Sequence, residues 1–234
     1  MSRIDAERAA FRAAADREAY LRANSHLPGP RSNLELLAAA AEEADRDWAR
    51  VWAERQPTDP TDVFLISVAL VALGRLLVGE DESELPILRR RAGDGEWRIR
   101  EAVAIGLQRL GDERPDRLAA IALVWAAGTP LEARAAVAAV AEPRLLHEGS
   151  LVDPAVAVLD AATQKVVSAG DRRANDIRVL RQALGYAWSV LVAADPGRVW
   201  PRFSEWAPSE DPDVRWIVAE NLKKNRLRRL GLSP

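Results

Sequence analysis

Apolar residues recur along this chain at the three- and four-residue spacing of helices buried on one face. Between Glu96 and Leu110 the apolar positions are Ile99, Ala102, Val103, Gly106, Leu107 and Leu110. That is one stripe of a helix with 3.6 residues per turn. Gly106 lies on the stripe, where a missing side chain lets a neighbouring helix approach. Gly111-Asp112 is expected to end the helix as a C-terminal glycine does, and Trp97 to sit before it as a hydrophobic staple. Strand-like alternation is absent, because the valine clusters keep helical spacing among alanines. The longest apolar run, residues 63–78, is interrupted by Ser67, Gly74 and Arg75 and falls short of a membrane span.

The pattern predicts a first helix over residues 4–23 and a loop over 24–31, where Pro28-Gly29-Pro30 cannot continue a helix. Ser32 with Glu35 three residues on predicts a capping box. It opens the longest helix of the chain, reaching about Arg55 and burying Leu34, Leu37, Ala41, Ala44, Trp48 and Trp52. Helix pairs follow. First helices are expected over 82–91, 115–127, 154–169 and 196–206. Leu65, Ile99, Ala133, Ile177 and Val214 align as equivalent buried positions of five second helices, at intervals of 34, 34, 44 and 37 residues. Helix starts carry a capping residue before proline at Thr129-Pro130, Asp153-Pro154, Asp195-Pro196 and Asp211-Pro212.

Asp211-Pro-Asp-Val-Arg-Trp-Ile-Val-Ala-Glu-Asn-Leu222 and residues 97–112 closely resemble HEAT repeats, a resemblance that covers about residues 60–230. It implies an all-α, right-handed α-solenoid of HEAT-like helix pairs (an armadillo/HEAT superhelix), in which stacked units share a core that no single pair could bury. The expected organisation is one domain, 1–234. An N-terminal helix and loop (1–31) precede helix-pair repeats at 32–78, 79–111, 112–146, 147–194 and 195–231. Tyr20-Leu-Arg-Ala with its Pro-Gly-Pro loop, residues 71–77 around Gly74, and Trp97-Arg-Ile-Arg-Glu-Ala-Val-Ala-Ile are also similar to the HEAT-like alkylpurine DNA glycosylases. That family works through a tryptophan and an aspartate, and setting Gly74 on its glycine puts Val63 and Ser67 at those positions. Neither residue can hold a cationic base or stabilise an oxocarbenium ion.

Composition narrows the field. The 234 residues carry a formal charge of −2, so no global field favours nucleic acid or membrane. Lys165, Lys223 and Lys224 are the only lysines, and the arginine- and alanine-rich usage is that expected of a high-GC bacterial genome. Absence of cysteine excludes disulfides and thiolate metal sites. Asp5, Glu7 and Arg8 stand where a signal peptide would be apolar, and the cytoplasm is the expected compartment. His26 and His147, the only histidines, show no nucleophile or orienting partner by sequence. Gly93-Asp-Gly95 lacks the lysine of a phosphate loop. Glu42, Glu43, Asp45 and Asp47 are expected to be a solvated helix face rather than a metal site.

One feature recurs with the repeat. Arg100, Arg134, Arg178 and Arg215 each follow the buried register position, and Asp62, Glu96 and Asp211 each precede it by three residues. The arginines are expected to form either an internal ladder, each reaching an acid or carbonyl of a neighbouring repeat, or the floor of a binding groove with Glu101 and Trp216. Lys223, Lys224, Arg226, Arg228 and Arg229 form a basic C-terminal patch, with helix capping or an acidic contact as its uses. The expectation is a non-catalytic binding or scaffolding module. It needs no cofactor or metal, takes a protein partner, and has DNA binding within the glycosylase-like group, degenerate or weakly active in alkylation repair, as the alternative.

Overall fold

A computed structural model describes residues 2–79 and 81–232, and among them every regular element is a helix. The chain divides into two compact units between Leu110 and Gly111. In the first, α1 (Arg3–Ala13), α2 (Arg17–Asn24), α3 (Leu34–Glu43), α4 (Arg46–Glu54), α5 (Asp62–Leu76) and α6 (Leu85–Arg91) precede α7 (Trp97–Glu113), which runs across the division. The centre is α5, buried at every residue from Asp62 to Gly74, as a helix apolar on all sides must be. Helices α2, α3, α4 and α6 all pack on it. Gly74 lies against Gly106 of α7 so closely that a Cβ at 74 would stand 2.3 Å from the Gly106 carbonyl.

The second unit holds α8 (Pro115–Ala127), α9 (Pro130–Val140), α10 (Pro143–Leu146), α11 (Val152–Val167), α12 (Asn175–Ala194), α13 (Pro196–Ser204), α14 (Pro212–Leu222) and α15 (Asn225–Arg228). Its centre is α12, which touches α9, α10, α11, α13, α14 and α15. Helix α14 lies parallel to α12, since Arg181 meets Asp213, Gly185 meets Trp216 and Ser189 meets Asn221 at a near-constant sequence offset. Asn221, fully buried, donates to the carbonyls of Leu184 and Ile217, both at 2.8 Å, and accepts from the Ser189 amide. All five register residues, Leu65, Ile99, Ala133, Ile177 and Val214, are buried.

The helix expected over residues 4–23 is two, because Asp16 caps α2 by accepting from the Ala19 amide at 2.9 Å. The helix expected to reach Arg55 also breaks, at Ala44, where Asp45 caps α4. Among the described residues the longest helix is therefore α12, with 20 residues. Asn33, not Ser32, caps α3, and Leu34 just inside it is 58% exposed. Asp153 lies within α11 and caps nothing there. Thr129 with Glu132, Asp195 and Asp211 do cap their helices. Helix α7 passes through Gly111 and stops before Pro115, which disfavours helical backbone at Arg114. Gly111 is buried, and a Cβ there would lie 2.5 Å from the Leu118 side chain, so close packing accounts for this glycine.

Candidate binding cleft

The first unit carries a cleft of about 450 Å³ between the 27–32 loop, the start of α3 and the start of α7. Its shape begins with local backbone. His26 takes a left-handed φ of 63°, the Leu27–Pro28 peptide is cis, and the Gly29 amide closes a turn on the His26 carbonyl at 2.8 Å. A Cβ on Gly29 would stand 2.4 Å from that oxygen. Arg98 fixes the loop to α7 by donating to the Gly29 carbonyl at 3.1 Å. The same guanidinium lies 4.4 Å from the Trp97 ring centre and 3.6 Å from Glu96.

Leu37, Ala102 and Ile105 line the cleft with apolar surface, and Ser67 reaches it from α5. The Ser67 hydroxyl is turned back onto its own helix, donating to the Val63 carbonyl at 2.7 Å. Two large apolar side chains stand open at the walls: Leu34, and Trp97 at 52% exposure. Trp97 is thus no staple; it lies two residues, or about 200°, round the helix from the buried Ile99. Charges of both signs line this surface: Arg31 and Arg98, and Glu35 and Glu101.

Of the groove residues expected from sequence, Glu101 alone lines this cleft. Arg100 donates to the carbonyls of Asp94 and Gly95 at 2.6 and 3.0 Å, closing the turn before its own helix. The three acids expected to recur with the register arginines each meet another arginine. Asp62 takes Arg22 at 2.6 Å, Asp211 takes Arg172 at 2.6 Å, and Glu96 takes Arg98. In the second unit Arg134 is half-buried on α9, while Arg178 and Arg215 are exposed on α12 and α14. Trp216 is half-buried, wedged against Gly185 with the Arg181 guanidinium 4.7 Å from its ring, so it packs α14 on α12.

The C-terminal basic residues divide. Lys223 pairs with Glu220 at 2.6 Å, Lys224 lies 3.9 Å from the same carboxylate, and Arg226 donates to the Tyr186 hydroxyl at 2.5 Å. Arg228 and Arg229 are exposed. In the acidic run of the first unit, Glu43 holds Arg12 at 2.7 Å and Glu42 holds Arg109. Among the described residues no group of acids or histidines is arranged to hold a metal ion.

No protein-family model, curated protein or solved structure matches the chain.

The cleft's principal residues, Trp97, Leu34, Arg31 and Arg98, escape a reading based on recurrence because none sits at a repeated position. Periodicity did hold a signal for Trp97, since an aromatic residue off the buried stripe of a helix must face outward. For Leu34 no such signal existed, since its spacing from Leu37 and Ala41 is that of a buried stripe.

Proposed function

We propose that the protein is a non-catalytic binding module, built from HEAT-type helix pairs, that recognises a peptide segment of a protein partner at the cleft of its first unit. The observation that carries this reading is the meeting of exposed Trp97 and Leu34 at one apolar cavity with a rim of mixed charge. Exposed large apolar side chains at a concave site are the usual anchors of recognition. A duplex phosphate backbone would favour a continuous positive surface, whereas Arg31 and Arg98 here share the lining with Glu35 and Glu101. The buried register positions and the parallel α12 and α14 support the helix-pair reading.

Selection of displayed random peptides on the full chain tests the proposal. Enriched peptides share a bulky apolar residue flanked by charge, and Trp97→Ala weakens their binding by about tenfold or more, as loss of a central aromatic anchor does. Failure to enrich any peptide, or binding indifferent to Trp97→Ala, contradicts it. Base excision is not expected: the Ser67 hydroxyl is bound to Val63 and carries no charge to stabilise a departing base's sugar cation. Chromatography of methylated duplex DNA after incubation with the protein should show no released purine above background, and enzyme-dependent release would contradict this.

A further inference from the structure

A second cavity of the first unit, about 400 Å³, opens where α1 gives way to α2 and α3 to α4. Its inner wall is apolar, formed by the buried Phe11, Leu21, Ala40 and Val68 with the half-buried Trp48 at one side. Its mouth carries Asp16, Glu18 and Asp45. Glu43 is there too, but a two-pronged contact from Arg12 neutralises it. The three remaining carboxylates are held in place before any ligand arrives. Asp16 accepts from the Ala19 amide and Asp45 from the Trp48 amide, both at 2.9 Å. One oxygen of Glu18 accepts both indole N–H groups, of Trp48 at 2.8 Å and Trp52 at 2.7 Å. A full charge on each capping aspartate exceeds the half-charge of the helix end it caps.

One cation already lines this cavity. The Arg17 guanidinium lies 5.3 Å from the Phe11 ring centre, and Arg17 is exposed. The protein thus supplies its own example of what the surface accepts, a cation on an aromatic face near carboxylates. We propose that the cavity binds a small organic cation with an apolar body, of the arylalkyl-ammonium or arylalkyl-guanidinium class. The body packs on Phe11, Leu21 and Val68, and the charge is drawn to Asp16, Glu18 and Asp45. The volume is in the range of small-molecule sites, and nothing in this assignment depends on the peptide cleft.

Titration of phenylpropylamine, phenylpropanol and phenylpropanoate into the nitrogen-15-labelled full chain tests it, read at the indole N–H resonances of Trp48 and Trp52, which report on Glu18. The amine shifts these resonances and binds about tenfold more tightly than the alcohol, while the carboxylate does not bind. Asp16→Asn combined with Asp45→Asn keeps both helix caps, because asparagine caps as well as aspartate. It should bring the amine's affinity down severalfold towards the alcohol's, with Glu18 retaining the remainder and the melting temperature little changed. Arg17→Ala uncovers the Phe11 ring and should raise the amine's affinity severalfold. Equal affinities for amine and alcohol, no shift up to millimolar amine, or amine binding unaltered in the double variant would each overturn the proposal.

Discussion

The buried Arg91 side chain directs its donors onto the Ala53 carbonyl at 2.7 Å, the Arg55 carbonyl, and Asp94 at 2.7 Å. It thereby satisfies carbonyls at the end of α4 that have no partner within their own helix. Arg91→Met should destabilise the protein by about 2–4 kcal/mol, because buried acceptors lose a charged donor. Arg178→Ala and Arg215→Ala, at exposed positions, should stay within about 0.5 kcal/mol of the parent. Denaturant titration of the three variants checks this contrast, and a large loss at Arg178 or Arg215 would show that these two arginines serve the internal ladder instead. A second prediction concerns Asp62. Burial raises its carboxyl, but the amides of Thr58 and Asp59, the Thr58 hydroxyl and Arg22 outweigh this and hold it down to about 2, from an ordinary 3.8. A carboxyl with a depressed folded-state value stabilises above its unfolded value and loses that contribution as pH falls through the folded one. Stability assigned to Asp62, roughly 2 kcal/mol, should therefore fade between about pH 4 and pH 2. Asp62→Asn should flatten that part of the stability–pH curve, and an unchanged slope would contradict the assignment.

At the scale of helices, the contact between α5 and α7 rests on two glycines. Gly74→Ala would drive a methyl group into the Gly106 backbone, and Gly106→Leu would meet the Leu70 carbonyl, 2.8 Å from the first added carbon. Each should cost about 2–4 kcal/mol even though both replacements favour helix. Gly79→Ala, with nothing within 4 Å of its added carbon, is the control and should be close to neutral. Thermal melts decide this, and a raised midpoint for Gly106→Leu would show that the helices are not in close contact. The Gly106 approach was legible in the sequence because a glycine on a buried stripe has few other uses. The two breaks were not. Ala14-Ala15 and Ala44 are good helix formers, so Asp16 and Asp45 act as caps only because the next segment packs elsewhere. Ser32 and Asn33 are both capping types, and periodicity alone does not choose between neighbours.

For the molecule as a whole, buried helix faces, the five register positions and the Thr129, Asp195 and Asp211 caps could be read from periodicity and local chemistry. The cleft could not, since it depends on where the 27–32 loop folds back, fixed by Arg98 across a long sequence interval. Arg100, Arg134, Arg178 and Arg215 recur at a fixed place in the sequence pattern, yet a recurring position marks what the units of a repeat share rather than what one site needs. We place recognition at Trp97 and Leu34. Hydrogen–deuterium exchange of the full chain, with and without a selected peptide, tests it most directly. Protection is predicted in the 27–37 and 96–106 segments. Protection confined to the segments around Arg134, Arg178 and Arg215 would contradict it and place recognition on the second unit.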